Sequence, residues 1–136
     1  MTVDVEDDIA VPVTYSPERD RFLLLKRGAD ADVFPGRWDF PGGYLNERED
    51  PEDAVMRELK EETGLLGTMM RTGEPHVVDT QYGKYRLHLF LVKVEGDDVD
   101  LSYQHVDYRW VEPSEVPEME TVKAIEKDFE LVGVEI

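Results

Sequence analysis

The sequence predicts one layered domain of the α+β class, or an α/β/α arrangement, from three observations. Its 136 residues are the length of one compact domain. Apolar residues make up 40% of the chain and aromatic residues 10%, which is enough to build a hydrophobic core. Strand-like segments are frequent and alternate irregularly with helix-like ones. We therefore expect residues 1–136 to form a single domain, with residues 1–8 as an acidic tail.

Three strands are predicted before the first helix. Residues 9–15 are β-favouring, and residues 22–25 form a short apolar run. Residues 28–37 predict a loop. Residues 38–40 predict a third, short strand, which the Pro-Gly-Gly run at 41–43 ends.

The clearest helix of the sequence follows. Asp50 is a suitable N-cap, and Pro51 occupies the first helical position, where its missing N–H is not needed. Residues 54–63 are good helix formers, and Gly64 marks the C-terminal end. The pattern therefore predicts a helix that ends at Thr63.

The second half of the chain predicts three more strands and a second helix. The strands are at residues 76–80, 85–94 and 108–111, where β-favouring residues lie between turn signals. The helix is expected over residues 118–131, because apolar side chains recur there at helical spacing.

The charge balance excludes several classes of partner. The chain has 32 Asp and Glu residues against 15 Lys and Arg, a formal net charge of −17. Binding a nucleic-acid polymer or an anionic membrane needs a basic surface, so neither partner is expected. Cysteine is absent, which excludes disulfides and thiol chemistry. The first residues are acidic, unlike a signal peptide, so we expect a cytoplasmic protein.

The acidity also supports a hypothesis about the solvent. Acidic residues are spread over the whole chain, as expected for a halophilic protein whose hydrated carboxylates keep it soluble in a salt-rich cytoplasm. The alternative is an ordinary acidic enzyme.

One helix face concentrates three carboxylates. Glu58, Glu61 and Glu62 are three and four residues apart, so they share one side of the predicted helix. Like charges at this spacing repel each other, and a divalent cation such as Mg²⁺ or Mn²⁺ would turn them into ligands. The alternative interpretation is a solvated acidic face.

The surroundings of these glutamates resemble a known sequence motif. The pattern Gly43-x5-Glu49-x7-Arg57-Glu58-Leu59-x-Glu61-Glu62-x-Gly64-Leu65 is similar to the Nudix box, residues 43–65, at every defined position. Further likeness covers residues 9–131. The resemblance implies a Nudix fold, in which a mixed sheet is sandwiched between helices (α/β/α). It also implies Mg²⁺- or Mn²⁺-dependent hydrolysis of a nucleoside diphosphate linked to another group.

Metal ligands follow from this resemblance. Glu58 and Glu62 are the expected inner-sphere ligands, followed by Glu61. Glu49 resembles the box glutamate that supports the metal site, and the Gly43 carbonyl is expected to join the metal shell.

Catalytic roles are expected for Glu58, Glu61 and Arg57. Glu58 is the candidate general base, and Arg57 orients the carboxylates. Many relatives have a Glu near the position of Gln104, and an amide cannot accept a proton. This departure favours Glu58 or Asp107 as the base. His105 is expected to be an ordinary loop residue, whose replacement by Ala leaves most of the hydrolysis.

Substrate contacts are expected from Arg27, Phe40 and Gln104. The segments around Arg27 and Phe40 are similar to the MutT-like branch, which cleaves nucleoside triphosphates, normal or oxidised, to monophosphate and pyrophosphate. ADP-ribose, a dinucleoside polyphosphate or a nucleotide sugar stays open as a substrate. Two other classes are a catalytically silent nucleotide-binding Nudix module and a structural cation-binding protein. Dimers are common among relatives, so a homodimer also stays open.

Overall fold

The computed structural model describes residues 7–135, which form eight strands, two α-helices and one 3-10 helix. In chain order they are β1 (Asp7–Ser16), β2 (Arg21–Arg27), β3 (Trp38–Asp39), β4 (Gly43–Tyr44), α1 (Pro51–Thr63), β5 (Gly67–Thr72), β6 (His76–Thr80), β7 (Gly83–Val94), β8 (His105–Val111), the 3-10 helix (Pro113–Glu118) and α2 (Ile125–Leu131). The expected tail at 1–8 lies outside the described residues as far as position 6, and its last two residues belong to β1.

The strands form one mixed sheet. Its main order is β3-β2-β1-β7-β5, while β4 pairs with β1, β6 with β7 and β8 with β2. Strands β1 and β7 run parallel, in a register that begins at Asp7 and Tyr85 and ends at Tyr15 and Lys93. The other strand pairs are antiparallel.

Two apolar clusters, one on each face of the sheet, confirm the predicted layered arrangement. Successive residues of β2 point to opposite faces. Leu24 joins the cluster that contains Phe129 of α2. Leu23 and Leu25 join the cluster that contains Leu59 of α1. The α+β prediction and its sheet between helices are therefore correct. Among the described residues, no helix has the length and apolarity needed to cross a membrane.

Helix α1 begins and ends where its sequence predicts. Asp50 has an extended backbone, although its side chain makes no capping hydrogen bond, and Pro51 is the first helical residue. Gly64 adopts a left-handed conformation with φ of 75°, and its N–H donates to the carbonyl of Lys60. The helix packs on the sheet through one face, which leaves its glutamates aligned along the edge of that contact.

The second helix is shorter than predicted. It begins at Ile125 instead of residue 118, because the preceding segment pairs with β3. The Trp38 N–H donates to the carbonyl of Glu120, and the Trp38 carbonyl accepts from Val122. Such a distant partner leaves no periodic signal in the sequence.

The strands differ from the prediction at three places. Strand β5 is missing from the prediction because it is largely exposed and lacks an apolar run. Strand β4 is also missing from the prediction, since it is only two residues long. Strand β8 begins at His105, three residues before the expected start at Tyr108.

Candidate active site

Arg57 lies at the centre of the acidic site. Its Nε and one terminal nitrogen each donate to a carboxylate oxygen of Glu49, both at 2.8 Å. Its other terminal nitrogen donates to Glu58 at 2.8 Å and to Glu61 at 3.1 Å. The terminal nitrogen that bonds Glu49 also donates to the carbonyl of Tyr44 at 3.0 Å. The single guanidinium thus orients three of the carboxylates that the sequence singles out.

Glu49 is held in the loop before α1. Its carboxylate accepts two hydrogen bonds from Arg57 and a third from the backbone N–H of Asn46 at 2.9 Å. The hydrogen bonds from Arg57, followed by that from Asn46, lower the pKa of Glu49 to about 2. Glu49 is therefore ionised and hydrogen-bonded to Arg57, which is consistent with a role in supporting the metal site.

Glu62 has the opposite environment. It is buried, with 6% of its surface exposed, and it accepts a hydrogen bond from the Gly42 N–H at 2.8 Å. Burial, with the nearby charges of Glu58 and Asp39, raises the pKa of Glu62 to about 8, against the opposing effects of that hydrogen bond and of Arg27. A neighbouring cation would therefore stabilise the ionised form of this carboxylate.

Glu58 lies against the backbone of β4. A Cβ atom built on Gly43 would be only 2.5 Å from the carboxyl carbon of Glu58. Burial raises the pKa of Glu58, and its hydrogen bond from Arg57 opposes that rise. Only glycine at position 43 leaves room for the carboxylate at this place.

These residues fit a divalent cation. Glu58 and Glu62 are buried carboxylates one helical turn apart, and the charge of Glu58 raises the pKa of Glu62. Carboxylate oxygens are ligands that suit Mg²⁺ or Mn²⁺. Within residues 7–135, no group of three Asp, Glu or His side chains is already arranged to hold a metal ion. Arg57 holds Glu49, Glu58 and Glu61, while Glu62 is bonded to Gly42.

Sheet residues form the other wall of the site. On β2, Leu25 faces α1, and Arg27 is two residues further along the same face. Asp39 pairs with Leu25 and therefore lies on that face as well. Burial raises the pKa of Asp39 to about 7. Asp39 is not among the site residues that the sequence predicts, although a carboxylate between Trp38 and Phe40 in a strand is a signal for one.

The three expected substrate contacts differ in position. Arg27 is half-buried, its Nε donates to the carbonyl of Val33 at 2.7 Å, and its charge acts on Glu62. Gln104 is exposed in the turn before β8. Phe40 is 4% exposed, and its ring packs edge-on against Phe129. Phe40 therefore lies in the core on the α2 side of the sheet, and not in the site where a substrate contact was expected.

The other two residues considered as the general base, Asp107 and His105, both belong to β8. Asp107 pairs with Lys26, the residue next to Leu25, so it lies on the sheet face away from α1. His105 is not a loop residue, because it begins β8 and is buried. Burial and the charge of Arg27 lower the pKa of His105 to about 4, so it is neutral near pH 7. Glu58 thus remains the base candidate that lies in the site.

Comparison with known proteins agrees with this arrangement. The NUDIX domain family model matches residues 7–130. The nucleoside triphosphatase NudI of Escherichia coli O81 (strain ED1a) is 31% identical, covering 83% of this chain and 88% of its own. The RNA pyrophosphohydrolase of Sphingopyxis alaskensis is 32% identical, covering 76% and 83%. The crystal structure of the MutT protein from Methanosarcina mazei Go1 superposes with a TM-score of 0.82 at 30% identity, covering 95% and 94%.

The fold, the site and these matches together define a hydrolase that acts on phosphoric anhydride bonds of nucleotides. The chain belongs to the Nudix family, in the MutT-like branch that its sequence predicts. Enzymes of this family generally use divalent metal ions.

Proposed function

We propose that this chain hydrolyses a nucleoside triphosphate to the monophosphate and pyrophosphate, with Mg²⁺ or Mn²⁺ as cofactor. The observation that carries the proposal is the pair of buried carboxylates on α1, Glu58 and Glu62, with the charge of Arg27 from β2 close enough to act on Glu62. A relative at 31% identity is named as a nucleoside triphosphatase, which supports the choice of substrate.

The residues proposed to hold the cation are different from those proposed to contact the substrate. Glu58 and Glu62 would hold the cation, with the Gly43 carbonyl beside them and Glu49 and Glu61 supporting through Arg57. When bound, the cation neutralises phosphate oxygens and lowers the pKa of a water molecule. A protein with a net charge of −17 would otherwise repel a polyphosphate.

Arg27 is the candidate contact for the phosphate chain. Its Nε is engaged by the Val33 carbonyl, while its terminal nitrogens have no hydrogen-bond or salt-bridge partner within residues 7–135. A guanidinium held in this way can bind phosphate oxygens. Gln104 is exposed in a nearby turn and is retained as a second candidate contact.

Glu58 is proposed as the general base. It accepts the proton of the attacking water as the water oxygen bonds to phosphorus and the anhydride P–O bond breaks, leaving monophosphate and pyrophosphate. Arg57 keeps the Glu58 carboxylate in place at 2.8 Å. Burial raises the pKa of Glu58, which makes its carboxylate a stronger proton acceptor than an exposed one.

A substrate panel tests the proposal. Normal and oxidised nucleoside triphosphates, ADP-ribose, a dinucleoside polyphosphate, a nucleotide sugar and 5′-triphosphorylated RNA are each incubated with Mg²⁺ and, in parallel, with EDTA. We expect pyrophosphate release from a nucleoside triphosphate and none with EDTA. Faster cleavage of another substrate would contradict the substrate assignment. Binding without turnover would instead indicate the silent module.

A further inference from the structure

Unpaired polar atoms gather beside the acidic site. Within residues 7–135, three buried side-chain atoms have no hydrogen-bond partner: Ser102 Oγ, His105 Nδ1 and Trp110 Nε1. Buried polar atoms are almost always paired, because leaving one unpaired costs free energy. Two of these atoms belong to residues only three positions apart, Ser102 and His105, and a ligand with polar groups would supply the partners that they lack.

The segment from Ser102 to the start of β8 at His105, which carries two of these atoms, is hydrogen-bonded to α1. The Ser102 N–H donates to the backbone carbonyl of Glu62 at 3.1 Å, and the His105 N–H donates to the Ser102 carbonyl at 3.3 Å. The neighbouring Asp100 N–H donates to the Thr63 carbonyl at 2.8 Å. The unpaired atoms are therefore held next to the residue proposed to bind the cation.

His105 also faces the candidate phosphate contact. It pairs with Arg27 across β2 and β8, next to a shift in the strand register, so the two residues are direct neighbours in the sheet. His105 is 8% exposed. Burial and the charge of Arg27 lower its pKa to about 4, so the ring is neutral near pH 7 and can donate one hydrogen bond.

We infer that Ser102 Oγ and His105 Nδ1 form, with Arg27, a subsite that binds a phosphate group of the substrate. A phosphate group offers several acceptor oxygens, which a hydroxyl, an imidazole N–H and a guanidinium can each engage. The positive charge of Arg27 favours an anion over a neutral ligand. This inference rests on the proposed function, since it names further residues of the same substrate site.

Imidazole NMR tests the subsite directly. The chain has only three histidines, and the other two are paired, His76 with Asp128 and His88 with Asp8. We expect the ¹⁵N resonance of His105 Nδ1 to move when inorganic pyrophosphate and Mg²⁺ are added, while the other two histidines keep theirs. His105→Asn identifies the signal by its loss. Pyrophosphate binding measured by calorimetry, with no change at His105, would overturn the inference.

Kinetics of matched variants give a second test. Ser102→Ala and His105→Phe should each raise KM for the best substrate of the panel about five- to tenfold, with kcat changed less than twofold. His105→Asn retains a polar atom near the Nδ1 position and should recover part of the loss. Ser114→Ala, at an exposed serine on another segment, is the control.

These experiments distinguish a failure of the proposed function from a failure of the phosphate subsite. If the wild-type chain hydrolyses no nucleotide but His105 responds to pyrophosphate, the proposed function is wrong and the phosphate subsite stands. If the wild-type chain is active and Ser102→Ala leaves KM unchanged, the subsite is wrong and the function stands. Ser102→Ala decides this alone if His105→Phe does not fold, because it removes a single oxygen atom.

Discussion

At the scale of single residues, Arg57 connects the acidic site. Its guanidinium donates to Glu49, Glu58 and Glu61, so these carboxylates act as one unit and not as three separate groups. The sequence predicts that Arg57 orients the carboxylates. It does not predict that Glu62 is bonded to the Gly42 N–H instead, since the Gly42 contact depends on how the loop after β3 folds back on α1.

Loss of either buried carboxylate should abolish hydrolysis. We expect Glu58→Gln and Glu62→Gln each to eliminate product formation in the substrate panel, because an uncharged amide is a poorer cation ligand and cannot accept a proton. Glu52→Gln, at an exposed position in the first turn of α1, is the matched control and should keep full activity. Near-normal turnover by Glu58→Gln would exclude Glu58 as the base.

The raised pKa of Glu62 predicts how stability depends on pH. The pKa is 4.5 in the unfolded chain and about 8 in the fold, so the protonated side chain favours the folded state. This contribution is full below pH 4.5 and is lost as the pH rises through about 8. In EDTA, Tm should therefore fall by several degrees between pH 6.5 and 8.5.

Two further measurements assign that fall to Glu62. Glu62→Gln cannot ionise and should show a flatter Tm profile over the same range. Added Mg²⁺ should restore much of the wild-type Tm at pH 8.5, because the cation stabilises the ionised carboxylate. Burial also raises the pKa of Asp39 to about 7, so Asp39 adds to the fall only at its acidic end, and Glu62 accounts for the part above pH 7. The lowered pKa of His105 acts in a separate range, since its contribution is lost only as the pH falls below 6.5. A wild-type Tm that is constant in EDTA would contradict the expectation.

At the scale of secondary structure, local signals were predictable and distant pairing was not. Helix α1 was correctly predicted because Pro51 and Gly64 specify its ends from within the segment itself. The start of α2 was predicted wrongly because Trp38, far away in sequence, pairs with residues 120–122. The place of Asp39 in the site also depends on distant pairing, since β3 aligns Asp39 with Leu25 of β2.

The contact between β4 and α1 predicts a selective effect of one methyl group. Gly43→Ala should lower kcat about 10²-fold with a small change in Tm, because its Cβ would displace the Glu58 carboxylate. Gly96→Ala is the matched control. Gly96 has a φ of 82° and open space around its Cβ, so this variant should lose about 1–2 kcal/mol of stability and keep kcat. Equal activity in the two variants would contradict the steric argument.

At the scale of the whole molecule, the acidity divides into two parts. Glu49, Glu58, Glu61 and Glu62 are placed by the motif, and three of them share Arg57. The remaining acidic residues outnumber their basic partners over the described surface, where a few exposed pairs such as Arg21 with Glu112 offset only part of the charge. Exposed pairs of this kind contribute little stability.

The net charge of −17 predicts stabilisation by salt. Repulsion among the surface carboxylates opposes the compact state and is screened within about 10 Å at 0.1 M salt and about 3 Å at 1 M. Tm should therefore rise from low to molar KCl, measured in EDTA so that divalent cations do not contribute. Equal Tm values across the series would count against a protein adapted to a salt-rich cytoplasm.

The parallel pairing of β1 with β7 has a consequence for synthesis of the chain. Strand β1 lies at the centre of the sheet, and its partner β7 ends at Val94, so most of the chain must leave the ribosome before the two can join. Until then, Val11 and Val13 lack the neighbours that bury them in the finished fold. The nascent chain therefore carries an uncovered apolar strand, and its many negative charges help to keep it from associating with other chains.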